Sequence, residues 1–191
     1  MRTLVFFLEE ASAREMLKGL LPRLLPPDVE PRFVVFEGKQ DLEKQLEKKL
    51  RGWQQPDSLF VVLRDQDAGD CRQVKAGLVK KCRKANRPHA LVRIACHELE
   101  SWYLGDLAAV ERALDVKGLA AHQAGRKFRD PDSATNPSHL LRQATSNAYQ
   151  KVSGSRAIGP EMNLEGNRSK SFRVFIAGLR RLLEVRGRPE S

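Results

Sequence analysis

Thr3–Leu8 reads TLVFFL and Leu59–Leu63 reads LFVVL, and these two short apolar runs decide the fold class. Each run is short for a helix, is rich in Val and Phe, and does not alternate polar with apolar residues. Strands with this pattern are buried on both faces, as in a parallel sheet covered by helices. We therefore expect both runs to be buried strands.

The same pattern extends outward to two further strands and three helices. Arg32–Phe36 (RFVVF) and Ala90–Cys96 (ALVRIAC) predict the strands. Strand and helix alternate four times, which predicts an α/β fold with a mainly parallel four-stranded sheet. The first helix should start at a Ser12–Glu15 capping box and end at Pro26, and Pro22 should kink or shorten it. The second is expected over Lys39–Trp53. The third should have Asp70 as its N-cap and an apolar face formed by Cys71, Val74, Leu78 and Cys82.

The pattern changes after residue 97, where a helical extension is predicted. Asp106 is a candidate N-cap for a helix over Leu107–Leu114. Lys151–Arg168 is glycine-rich and has no periodicity, so we expect a long loop. A last helix should start at Ser169 or Ser171. Its apolar stripe is Phe172, Phe175, Ile176, Leu179, Leu182 and Leu183, and its basic residues are Arg173, Arg180, Arg181 and Arg186, before a tail over Gly187–Ser191.

The chain is basic, and the basic residues are concentrated in its second part. Its 191 residues hold 34 Lys and Arg against 24 Asp and Glu, a net charge of +10. Residues 1–70 carry 11 basic and 13 acidic side chains, whereas residues 71–191 carry 23 basic and 11 acidic ones. Such a surplus suits a nucleic-acid partner, and it also suits an ordinary solvated surface.

Composition excludes several classes of protein. The apolar and charged contents are those of a folded domain, not of a disordered or collagen-like chain. Three cysteines without a Cys-x-x-Cys pair indicate reduced thiols, neither a disulfide scaffold nor a zinc site. No apolar run is long enough to cross a membrane. Met1–Leu8 is followed by Glu9 and Glu10 without a cleavage site, so we expect no signal peptide and a cytoplasmic location.

Clusters of two or three acidic residues follow three of the four predicted strands. Because the carboxyl ends of parallel strands meet at one edge of a sheet, these clusters should lie together. Crowded carboxylates repel one another, and a Mg²⁺ or Mn²⁺ ion would relieve that repulsion. Helix capping and solvation are the alternative roles. The clusters are Glu9 and Glu10, then Asp65, Asp67 and Asp70, then Glu98 and Glu100.

A strand that ends in Glu, followed by a helix and a later strand that ends in Asp-x-Asp, resembles the TOPRIM (topoisomerase–primase) pattern. The matching segments are VFFLEEASARE from Val5 and FVVLRDQD from Phe60. Later segments resemble a small bacterial family related to overcoming-lysogeny-defect nucleases of defence loci. These segments are CHELESWYLGD from Cys96, and YQKVSG with NRSKSFRVF near the C-terminus. Glu10 stands where many TOPRIM members have Gly.

The resemblance implies a TOPRIM-like Rossmannoid core over residues 1–104 and a helical extension over residues 105–191 that packs on it as one compact unit. It implies that Glu9 is a general acid/base or metal ligand, and that Asp65 and Asp67 are metal ligands. Glu100, and less directly Glu98, would complete a second metal position, so that the catalytic set is Glu9, Asp65, Asp67 and Glu100.

Basic residues in the second part are candidates for contact with phosphate. Lys151 and Arg156 lie in the expected loop, and Arg126 and Lys127 precede an aromatic residue. Solvated surface charge is the alternative for all four. Trp102 and Tyr103 could stack on bases or belong to the core.

Two functions follow as hypotheses. The first is a Mg²⁺- or Mn²⁺-dependent phosphodiesterase that cleaves DNA or RNA in bacterial phage defence, acting with an ABC-type ATPase. The second is a non-catalytic module of the same fold that binds nucleic acid or the ATPase partner. No P-loop motif and no Gly-x-Ser-x-Gly elbow occurs in the sequence, which argues against intrinsic ATP hydrolysis and serine hydrolase chemistry.

Overall fold

A computed structural model of the protein describes residues 1–185 and contains a four-stranded, all-parallel sheet flanked by helices. The predicted Arg186 and the tail over Gly187–Ser191 lie outside the described residues. The predicted α/β class is confirmed, and the arrangement is Rossmann-like. The strands are β1 (Arg2–Leu8), β2 (Val29–Val35), β3 (Ser58–Asp65) and β4 (Leu91–Ala95), in the spatial order β2-β1-β3-β4.

Helices connect the strands and form most of the chain after β4. Short 3-10 turns cover Leu21–Arg23, Ala120–His122 and Pro131–Ser133. The α-helices of the described chain are α1 (Ala11–Leu20), α2 (Lys39–Arg51), α3 (Cys71–Lys84), α4 (Glu100–Leu104), α5 (Leu107–Leu114), α6 (Pro137–Ala144), α7 (Lys151–Glu161) and α8 (Lys170–Val185).

The sheet has a hydrophobic cluster on each face because successive strand side chains point to opposite sides. Leu4, Phe6 and Leu8 of β1 belong to the larger cluster, which also contains residues of α1 and of the helices after β4. Val5 and Phe7 belong to the smaller cluster, with residues of α2 and α3. Both central strands are therefore buried on both faces, as their unbroken apolar runs predict.

Several helix boundaries follow the sequence signals. Asp70, Asp106 and Ser169 each accept a hydrogen bond from the backbone N–H three residues later, at 2.8, 3.1 and 3.1 Å respectively. These contacts confirm all three as N-caps, and Ser169, not Ser171, caps α8. Pro22 lies in the 3-10 turn that follows α1, so the predicted shortening of this helix is also confirmed.

The predicted capping box at the start of α1 is wrong. The helix begins at Ala11, and its N-cap residue Glu10 makes no side-chain cap hydrogen bond. Ser12 lies inside the helix and is buried, with no hydrogen-bond partner for its hydroxyl among the described residues. Glu15 does not reach back to the helix start because its carboxylate binds Lys18 and Arg156.

The predicted loop over Lys151–Arg168 is also wrong, because its first part is helix α7. Glycine there permits close helix packing and does not indicate a loop. A Cβ on Gly159 would lie 2.3 Å from the Met16 carbonyl oxygen of α1, and one on Gly19 of α1 would lie 2.4 Å from Cδ of Pro160. The two helices therefore touch through their backbones, which only glycine allows.

Candidate active site

The sheet has a topological switch point between β1 and β3, because the chain adds β2 on one side of β1 and then β3 and β4 on the other. Open α/β sheets bind ligands at such a point, beyond the carboxyl ends of the strands. Glu9 directly follows β1, and Asp65 is the last residue of β3. Oε2 of Glu9 accepts a hydrogen bond from the backbone N–H of Asp65 at 3.1 Å. Two of the predicted site residues thus meet at the topological switch point.

Asp65 and Glu100 are buried carboxylates whose hydrogen-bonding capacity is not filled. Asp65 is 8% exposed, and its carboxylate accepts no hydrogen bond from another described residue. Glu100 opens α4 and is 1% exposed. Its Oε1 accepts from the Tyr149 hydroxyl at 2.8 Å, whereas its Oε2 has no partner among residues 1–185. Buried polar atoms normally have a partner, so this oxygen is available to a ligand.

The carboxylates at this edge raise one another's pKa values. Burial raises the pKa of Asp65 well above its usual range, and the charges of Glu100, Glu9 and Glu10 raise it further. Burial also raises the pKa of Glu100, against the positive charge of Lys151, and burial raises the pKa of Glu9. The negative charge of this edge is therefore incompletely compensated, and either a proton or a cation would stabilise it.

Lys151, the first residue of α7, brings a positive charge to the same edge. Its Nζ lies 2.7 Å from Oε1 of Glu10. Burial acts to lower the pKa of Lys151, but the hydrogen bond to Glu10 and the charges of Glu100 and Asp65 raise it. We refer to Glu9, Glu10, Asp65, Glu100 and Lys151 together as the acidic edge.

Two other predicted ligands lie beside this group and have protein partners of their own. Asp67 contributes to the raised pKa of Glu9, and its Oδ2 is 2.9 Å from Nζ of Lys39. Oε2 of Glu98 accepts a hydrogen bond at 2.7 Å from the backbone N–H of Ser138, near the start of α6. Glu98 is therefore turned toward α6.

The predicted phosphate-binding residues lie in two segments with different surroundings, helix α7 and the turn before Phe128. Nε of Arg156 is 2.7 Å from Oε2 of Glu15, and this contact is the main reason that the pKa of Glu15 falls to about 2. Arg126 and Lys127 are exposed in a turn, with Nζ of Lys127 5.7 Å from the ring centroid of Phe128.

The two aromatic residues after Glu100 belong to the core. Trp102 and Tyr103 are fully buried, so they do not stack on bases in this structure. Nε1 of Trp102 donates to the hydroxyl of Ser171 in α8 at 2.8 Å. Trp102 therefore links α4 to the last helix.

Sequence reasoning missed Arg64 and Tyr149. Arg64 is 7% exposed, and its guanidinium lies 2.6 Å from Glu43 and 3.8 Å from Glu9. An arginine inside an apolar strand beside an aspartate was a readable signal, because a buried charge requires a partner. Tyr149 is 49 residues from Glu100, and no local pattern connects them.

Comparison with known proteins identifies a family. Residues 8–180 match the family described as Domain of unknown function (DUF4276). The chain belongs to this family. No curated protein and no solved structure matches it. In this DUF4276 member the matched range starts next to Glu9 and includes the whole acidic edge.

The acidic edge of this DUF4276 protein fits a hard divalent cation by donor chemistry. Its free oxygens are carboxylate oxygens, which Mg²⁺ and Mn²⁺ prefer, and the unpartnered Oε2 of Glu100 offers one such donor. Within residues 1–185, no three His, Cys, Asp or Glu side chains already stand as a set that could hold a metal ion. Glu9 and Glu10 are partly exposed, but Glu9 lies 3.8 Å from Arg64 and Glu10 is paired with Lys151, so an ion would compete with these contacts for their oxygens.

The helices of the described residues also include none that is long and apolar enough to cross a membrane.

Proposed function

We propose that this protein is a Mg²⁺- or Mn²⁺-dependent phosphodiesterase that cleaves DNA or RNA, with its active site at the acidic edge. The observation that carries the proposal is the pair Asp65 and Glu100, two buried carboxylates of the acidic edge: Asp65 accepts no hydrogen bond from a described residue, and Oε2 of Glu100 has no partner among residues 1–185. Buried carboxylates cost free energy in the absence of a ligand, which is typical of a site built to bind one.

Asp65, Glu9 and Glu100 would hold the ion, with Asp67 as an additional ligand beside Glu9. Such an ion polarises a phosphate and lowers the pKa of a bound water. Tyr149 orients the Glu100 carboxylate through its 2.8 Å hydrogen bond. Lys151, whose Nζ is part of the same edge, would bind a phosphate oxygen of the substrate.

The biological setting is proposed from the TOPRIM resemblance. On that basis the protein would act in the cytoplasm in bacterial defence against phage, together with an ABC-type ATPase. The proposed TOPRIM relation rests on the sequence pattern of Glu9 after β1 and of Asp65 and Asp67 at the end of β3, and the hydrogen bond between Glu9 and the Asp65 backbone supports it.

A second candidate is a non-catalytic module that binds nucleic acid or the ATPase partner. The observation in its favour is the Lys151 ammonium, which already neutralises Glu10 and lowers the pKa of Asp65. A lysine in this position supplies part of the charge compensation that an ion would supply.

Titration with Mn²⁺ and Mg²⁺ by calorimetry distinguishes the two. We expect saturable binding by the wild type, and an affinity at least about 100-fold weaker in Asp65→Asn and Glu100→Gln, because each loses a ligand charge. Glu98→Gln is the matched control, since Glu98 lies nearby but faces α6, and it should bind like the wild type. No binding by any of these proteins would favour the non-catalytic module.

Cleavage assays complete the test. Labelled DNA and RNA strands are incubated with Mn²⁺, with and without a candidate ATPase. Metal-dependent cleavage that disappears in Asp65→Asn and persists in Glu98→Gln supports the phosphodiesterase. Cleavage that is equal in the wild type and Asp65→Asn would sink it.

A further inference from the structure

A groove of about 1090 Å³ lies at the end of the sheet opposite to the acidic edge. It passes the starts of β3 and β4 and is bounded by residues of α3 and α8. β4 is an edge strand, so the groove follows the open side of the sheet. Along β3, at about 3.3 Å per residue, its lining residues Ser58 and Phe60 are about 23 Å and about 17 Å from Asp65.

The groove is lined by an excess of cations. Lys75 of α3, Arg87, Arg93 of β4 and Arg181 of α8 all contribute to its walls. Among the described residues that line it, Asp57 is the acidic one. The local charge is therefore strongly positive, which attracts anions into a concave surface.

Arg93 and Arg181 bring two positive charges together without an acidic partner among residues 1–185. Burial lowers the pKa of Arg93, and the charge of Arg181 lowers it further. Nε of Arg93 donates to the Val174 carbonyl at 3.3 Å and NH1 to the Val92 carbonyl at 2.8 Å, so its guanidinium is held in position. Neighbouring guanidinium groups bind phosphate well because their donors match its oxygens.

Helix α3 extends this positive surface beyond the groove. It contains six basic residues and no acidic one, and none of the six forms an ion pair with another residue of the described chain. This contrasts with α7, where Lys151 and Arg156 are both paired with glutamates. The six residues are Arg72, Lys75, Lys80, Lys81, Arg83 and Lys84.

The groove favours a phosphate backbone over an added peptide strand. An edge strand can accept a strand from a partner through its free backbone groups. Here the Arg93 side chain already donates a hydrogen bond to the Val92 carbonyl of β4, so this carbonyl is not free to pair with an added strand. Arg87 adds a guanidinium at 5.0 Å from the centroid of the Phe60 ring, with NH2 bound to the Trp53 carbonyl at 3.1 Å.

We propose that this groove and the adjoining face of α3 bind the phosphodiester backbone of DNA or RNA. The choice of a nucleic acid among polyanions rests on the proposed function. The binding surface is separate from the acidic edge, so a strand would be held at one end of the sheet while a distant part of it reaches the other.

Fluorescence anisotropy with labelled strands tests the proposal on the full chain in EDTA, without metal. The probes are single-stranded DNA and RNA of about 24 nucleotides, longer than the roughly 4–16 nucleotides that single-strand sites cover. The test variant is Lys75→Glu/Arg181→Glu, since both side chains are exposed. The matched control is Lys117→Glu/Arg142→Glu, which makes the same change in net charge at exposed residues outside the groove.

We expect the groove variant to bind one or both probes with a Kd at least about tenfold higher than that of the wild type. The slope of log Kd against log salt concentration should fall by about 1.4, because each of the two lost single-strand phosphate contacts contributes about 0.7. The control should change Kd by less than about threefold. Circular dichroism and thermal unfolding verify that both variants are folded. Equal weakening in both variants, no weakening in the groove variant, or no binding of either probe by the wild type would overturn the proposal.

Asp65→Asn separates this inference from the proposed function. If the wild type binds the probes through the groove but does not cleave them, the groove proposal is supported and the phosphodiesterase proposal is refuted. Cleavage that depends on Asp65 but is unaffected by Lys75→Glu/Arg181→Glu, with unchanged Kd, would remove the groove and retain the phosphodiesterase.

Discussion

At Asp65, burial and like charge act in the same direction. Both raise the pKa of its carboxyl group, and the positive charge of Lys151 offsets them only in part. We therefore expect Asp65→Asn to stabilise the metal-free protein at pH 7 by about 1–3 kcal/mol, since the neutral amide removes the repulsion and can donate to a neighbouring carboxylate. Urea unfolding in EDTA measures this difference.

The sign of the pH dependence follows from the raised pKa. The folded state binds a proton at Asp65 more tightly than the unfolded state does. The wild type therefore loses stability as the pH rises from 3.8, the ordinary pKa of an aspartate, through the raised pKa of Asp65 in the folded state. The advantage of Asp65→Asn should vanish at acid pH and grow toward neutrality. Asp67→Asn is the control, because Asp67 is 34% exposed and pairs with Lys39, and no such gain is expected. A destabilised Asp65→Asn protein at pH 7 would contradict this account of the site.

At the scale of elements, the contact between α1 and α7 depends on glycine. Alanine normally stabilises a helix interior relative to glycine. At Gly159, however, the added Cβ would lie 2.3 Å from the carbonyl oxygen of Met16, which is backbone and cannot move aside easily. We expect Gly159→Ala to destabilise the protein by about 1–3 kcal/mol, as overpacking does.

Gly77 supplies the matched control for this element. It lies inside α3, and a Cβ built there has no other atom within 4 Å. Gly77→Ala should therefore stabilise the protein by about 0.5–1 kcal/mol. The two substitutions are chemically identical, so opposite signs in urea unfolding would isolate the effect of the helix contact. A gain in both variants would show that α7 does not pack closely on α1.

The strands and helix α7 show which parts of the fold can be predicted from the sequence and which cannot. The strands could be predicted because burial on both faces leaves unbroken apolar runs, and the meeting of Glu9 with Asp65 follows from parallel strands sharing an edge. α7 could not be predicted, because its glycines serve contacts with Met16 and Pro160 that are remote in sequence. Tyr149 was missed for the same reason, since its partner Glu100 is 49 residues away.

At the scale of the whole molecule, charge is separated along the strands. Uncompensated carboxylates collect at one end of the sheet, and unpaired arginines and lysines at the other end and on α3. The two ends share one rigid support, because β3 runs between them and is buried over most of its length. Binding at the groove and chemistry at the acidic edge are thus held at a fixed separation.

The core joins the first and second parts of the chain into one body, which gives the last prediction. Leu4 of β1 and Phe175 of α8 belong to the same hydrophobic cluster, and both are fully buried. Residues 1–104 alone would leave this face of the sheet without α5 to α8, and the exposed apolar surface would be unfavourable. We expect the full chain to unfold in one calorimetric transition, with equal calorimetric and van't Hoff enthalpies, and the fragment over residues 1–104 to show no cooperative unfolding. Two transitions in the full chain, or a fragment that melts cooperatively, would mean that the helices after β4 are an appendage, and the contacts of Lys151 with the acidic edge would then depend on docking between two bodies.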